Sequence, residues 1–63
     1  MIKVRSEASA YDVVALMYWD EESSVFQVLG YQHARLIFCD TFVDEKVANA
    51  QFDRLLEPAY DPE

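Results

Sequence analysis

Twelve carboxylates, one cysteine and one histidine are the side chains of this 63-residue chain whose types could do chemistry. Two carboxylates act as general acid and base only when one cleft holds them in different environments. Most of the acids here fall instead in polar breaks or along a prospective helix surface: Asp20, Glu21 and Glu22 in one, Asp44, Glu45 and Asp53 on the other. Asp40 is the exception, flanked by Cys39 and Thr41 within an otherwise apolar stretch. It reads either as a perturbed acid or, more plainly, as a residue at an exposed strand end or a helix cap.

Cys39 and His33 are close in sequence, but a nucleophile pair needs them side by side in space. A residue in a turn seldom faces one near the far end of the next strand, so Cys39 reads as a buried structural thiol. No Cys/His cluster has zinc-ligand spacing. No serine sits in a nucleophile-elbow context, and Gly30, the only glycine, cannot build a phosphate loop alone. The chain reads as no enzyme, with no metal and no cofactor. The competing reading is an enzyme or small-ligand site built on Asp40 or His33.

The elements that must position these residues follow from apolar periodicity. Met1–Arg5 alternates Ile2 and Val4 with Lys3 and Arg5, as a short edge strand does. Ser6–Ala10 is small and polar enough for a connection. A rival reading starts a helix at Ser6, but Val13, Val14, Tyr18 and Trp19 favour a strand over Tyr11–Trp19. That strand is apolar on both parities: Tyr11, Val13, Ala15, Met17 and Trp19 face one way, and Val14, Leu16 and Tyr18 the other.

Asp20–Ser23 is a polar break of hairpin length, and Ser24–Leu29 reads as the next strand. Gly30 is expected to turn the chain with a positive φ, Tyr31, Gln32 and His33 completing the connection. Ala34–Phe42 is the following strand, with Leu36, Phe38, Asp40 and Phe42 on one face and Arg35, Ile37, Cys39 and Thr41 on the other. The period then becomes helical from Val43 to Leu56, through Val43, Val47, Ala48, Phe52, Leu55 and Leu56. Thr41 and Asp44 are both candidate N-caps, and Pro58 marks the stop. Residues 57–63 read as a frayed acidic tail.

The expected fold is α+β: one domain over 1–63, an antiparallel three- or four-stranded meander followed by one C-terminal amphipathic helix packed on one sheet face. A helix of that length spans about 21 Å and covers only one face of such a sheet. Strands apolar on both sides therefore leave large side chains in water, which on a soluble protein marks an interaction surface. The plainer alternative is that Met1–Arg5 and the C-terminal tail fold over it.

Composition points the same way. A chain this short hides only about 60% of its unfolded surface, and small domains compensate with disulfides, metals or association. With one cysteine and one histidine, association is the device left, and the cysteine usage suits a reducing, cytoplasmic compartment. Met1–Ser6 is too short and polar for a signal peptide, and no apolar run is long enough to cross a bilayer.

Net charge is −7, from twelve acids and five bases, which disfavours direct nucleic-acid contact and anionic membranes. A basic or nucleic-acid-binding protein is the natural complement, although charge of this size also serves solubility alone. The function that follows is a non-catalytic protein-interaction module, a small acidic inhibitor or regulatory subunit. Its expected partner-binding residues are Leu16, Tyr18, Trp19, Asp20, Glu21, Glu22, Phe26 and Tyr31, an apolar sheet face with an acidic rim. Tyr18, Trp19 and Tyr31 are the aromatic anchors, with the reservation that Trp19 is equally suited to be core. Two alternatives stand beside it: an obligate homodimer, or an acidic mimic of a nucleic-acid backbone.

Overall fold

Tight turns decide the sheet. The structure, a computed structural model, describes residues 2–57. Four strands and one helix follow in order: β1 Ile2–Ala10, β2 Val13–Asp20, β3 Val25–Gln32, β4 Arg35–Phe42 and α1 Glu45–Leu55. The strands form a single antiparallel meander in the order β1-β2-β3-β4, with the helix packed across one face. This is the expected architecture in its four-stranded form. The tail beyond Glu57, with the Pro58 stop and the fraying expected there, lies outside the described residues.

Ser6–Ala10 is not a connection. It continues β1 through a bulge at Arg5, where the register steps from Val4↔Tyr18 to Ser6↔Met17. The turn that follows is Tyr11–Asp12, at φ 52° and 68°, between the paired residues Ala10 and Val13. Consecutive positive φ values are what a two-residue hairpin with the right twist demands, and aspartate tolerates them better than most residues. Tyr11 thus belongs to the turn and not to the strand.

Gly30 is the second correction. No glycine has positive φ; Gly30 lies inside β3, paired with Ala15 and Phe38. Tyr31 and Gln32 continue the strand, and the turn is His33–Ala34, at φ 52° and 63°. Sequence reasoning assigned the bend to the only glycine, whereas two residues with side chains make it. The β2–β3 turn closes with Ser24 at φ 55°, and the Asp20 carboxylate accepts the Glu22 amide at 3.1 Å.

Strict alternation also fails in β4. The pairing steps from Gly30↔Phe38 to Tyr31↔Leu36, so Ile37 is the extra residue of a bulge. Leu36 consequently shares a face with Tyr31, while Ile37 and Phe38 both pack against the core.

The core is small: Val13, Ala15 and Met17 of β2, Phe26 and Val28 of β3, and Ala48, Phe52 and Leu55 of α1. The helix lies chiefly over β3 and reaches β2 and β4. Asp44, not Thr41, caps it, its carboxylate accepting the Lys46 amide at 2.8 Å. The buried stripe is Ala48, Phe52 and Leu55. Val43 and Val47, counted as part of the apolar stripe from sequence, are exposed. No helix among the described residues is long and apolar enough to cross a membrane.

Candidate functional site: the open face of the sheet

Pairing register assigns every strand residue to a face. Facing the helix are the rows Lys3–Trp19–Phe26–Phe42, Ser6–Met17–Val28–Asp40 and Ala8–Ala15–Gly30–Phe38. Facing away are Val4–Tyr18–Gln27–Thr41, Glu7–Leu16–Leu29–Cys39 and Ser9–Val14–Tyr31–Leu36, with Ile2, Asp20 and Val25 at the end beside the β2–β3 turn. Residues opposite one another in an antiparallel ladder share a face, so these rows need no assumption about rotamers.

The open face is therefore apolar across its middle. Leu16 and Leu29 pair at its centre, Tyr18 and Tyr31 lie to either side, and Val4, Val14 and Leu36 are at least 40% exposed around them. Gln27 is its central polar group, and its amide reaches the Cys39 sulfur at 4.0 Å. The only ionisable carboxylates on these rows are Glu7, on the edge strand, and Asp20, at the corner. No lysine or arginine belongs to them.

This arrangement divides the expected binding residues. Leu16, Tyr18 and Tyr31 come together on the open face, with Asp20 at its corner. Trp19 and Phe26 do not join them: they pair on the helix side, ring centroids 4.6 Å apart and planes at 44°. Phe26 is core and Trp19 is half-buried against it, on the side of the sheet that the helix covers. Glu21 and Glu22 occupy the β2–β3 turn, where Glu21 meets the Lys3 ammonium at 3.2 Å.

The expected binding set had grouped Trp19 and Phe26 with Leu16 and Tyr18; on the open face Leu29 and Gln27 stand opposite those two instead. The missing signal was register: a hairpin pairing Asp20 with Val25 puts Trp19 opposite Phe26 and Leu16 opposite Leu29.

The candidate chemical groups stand apart. His33 is in the β3–β4 turn, and Cys39 lies on the open face of β4. Cys39 is exposed, which corrects its expected burial, because its parity places it away from the helix. Asp40 is on the opposite face from Cys39, exposed, with its carboxylate accepting the Thr41 amide at 2.8 Å. No group of three or more His, Cys, Asp or Glu side chains among the described residues is placed to hold a metal ion.

On the helix side, Arg5 from the β1 bulge bridges to Glu45 at 2.8 Å, its guanidinium 6.0 Å from the Phe26 ring centre. That contact ties β1 to the start of α1 and screens the aromatic pair from water. Comparison with protein families, with curated proteins and with solved structures returns no match to this chain.

Proposed function

We propose that this protein is a non-catalytic interaction module that binds a polypeptide through the open face of its sheet. The observation carrying this reading is the contiguous apolar surface of Val4, Val14, Leu16, Tyr18, Leu29, Tyr31 and Leu36 on the side the helix does not cover. Leaving it wet forgoes roughly 25 cal/mol for each Å² of apolar area that a partner could cover. Tyrosine is enriched and charge depleted at the centre of protein-binding patches, and these rows hold two tyrosines and no central charge. The separate placement of His33, Cys39 and Asp40 supports the non-catalytic part, since no two of them converge on one cleft.

Protein capture with wild type, Leu16→Asp and Val47→Asp compared side by side tests this reading. Val47 is 49% exposed on α1, the element on the other side of the sheet, so its variant controls for general stickiness. A partner held by wild type and Val47→Asp but lost by a folded Leu16→Asp supports the open face. Equal capture by all three overturns it.

A further inference from the structure

We infer that the occupant of the open face is a second copy of this chain, packed sheet on sheet about a two-fold axis that runs along the strands. This rests on the reading above and names its partner.

Charge argues first. The chain carries −7 overall, yet the open rows hold only Glu7 and Asp20 as charged groups, both at the periphery. A basic partner would find almost nothing there to pair with. A second copy brings an equally apolar centre and only the same two marginal charges.

Edge pairing, the other route to self-association, is obstructed on both sides. β1 is bulged at Arg5 and β4 at Ile37, and bulged edge strands resist continuation of the sheet. Size and outline favour a copy as well. Four strands of eight or nine residues make a face roughly 26 Å by 19 Å. Its footprint is on the order of 500 Å² before side-chain relief is counted, against ~800 Å² per partner in a standard interface. Such a dimer needs nearly the whole face, and a second copy has the matching outline to cover it.

The rows select the axis. A two-fold along the strands exchanges β1 with β4 and β2 with β3, so each row lies across itself reversed. Leu16 of one copy then meets Leu29 of the other, Tyr18 meets Gln27 and Val14 meets Tyr31. The Gln27 amide, which within one copy reaches the Cys39 sulfur at 4.0 Å, then lies across from the tyrosine that carries a phenol hydroxyl. Glu7 faces Cys39 at the sheet margin. A centred two-fold across the strands would instead lay each strand over itself, setting the Glu7 carboxylate against Val4 and Leu29 against Gln27.

The test is solution mass by sedimentation equilibrium from about 1 to 500 µM, with Cys39 alkylation rates measured over the same range. Wild type is expected to double its mass, with Cys39 protected several-fold as it does. Leu16→Asp and Leu29→Lys, each checked by circular dichroism, are expected to stay monomeric alone and to regain dimer mass when mixed, because the axis brings those positions together. The mixture also keeps the test open if one variant alone is poorly folded. A wild type that remains at single-chain mass, with a concentration-independent alkylation rate, overturns the second copy. A dimer that persists in both single variants overturns it too. A monomeric wild type that still loses a captured protein on Leu16→Asp would sink this inference alone, whereas equal capture would sink the interaction reading itself.

Discussion

Leu55 of α1 lies directly on Gly30 of β3: a Cβ at that glycine would stand 3.0 Å from Cδ2 and 3.1 Å from Cδ1 of Leu55. Leu55 is fully buried, so the missing side chain is what lets the helix settle onto the middle of the sheet. The open face exists because the helix is committed to the other one, and this contact is part of that commitment.

Gly30→Ala is therefore expected to destabilise by about 1 kcal/mol. Overpacking costs roughly 1–3 kcal/mol, partly offset by ~0.4–1 kcal/mol from a stiffer unfolded chain. A lower urea midpoint would show it. In a Leu55→Val background the substitution should be close to neutral; an equal loss there would mean that Leu55 is not what the new methyl meets.

His33–Ala34 makes the opposite prediction. Alanine at φ 63° is strained, and glycine is not. Ala34→Gly should stabilise by up to about 1 kcal/mol, raising Tm by roughly 4–8 °C per kcal/mol in a domain of this size. Ala34→Val should lower Tm. A calorimetric scan of both variants that found the reverse order would show that the turn has another geometry.

Asp44 holds the start of α1 through the Lys46 amide. Asp44→Ala should cost about 1 kcal/mol, and Asp44→Ser should recover most of it. Thr41→Ala, by contrast, should change chemical stability little, since Thr41 does not cap the helix. Denaturant melts of the three variants distinguish the two capping assignments made from sequence.

Arg5 and Glu45 are both about half exposed, at 49% of each side chain. A double-mutant cycle of Arg5→Ala with Glu45→Ala should give a coupling below ~1 kcal/mol that shrinks with salt. Arg5→Ala alone should cost more than the coupling, because it also uncovers Phe26. A loss confined to the coupling energy would remove the aromatic contact from the account.

Local chemistry wrote the element types into the chain. Strand-favouring apolar stretches in Val13–Trp19 and Leu36–Phe42, the polar break at Asp20–Ser23 and the helical spacing of Ala48, Phe52 and Leu55 all report on neighbours close in sequence. They were enough for an antiparallel meander with one terminal helix, and for the shortage of cover on its second face. The face composition was not legible, because it depends on register. The bulges at Arg5 and Ile37 each shift parity by a residue, the turns set which residues stand opposite one another, and a single step exchanges the two faces. The fate of Gly30, Trp19 and Cys39 likewise turned on what lies across the sheet: Leu55, Phe26 and open solvent respectively. Those contacts cross between elements, so pairing and packing alone decided which apolar side chains became core and which were left on the surface.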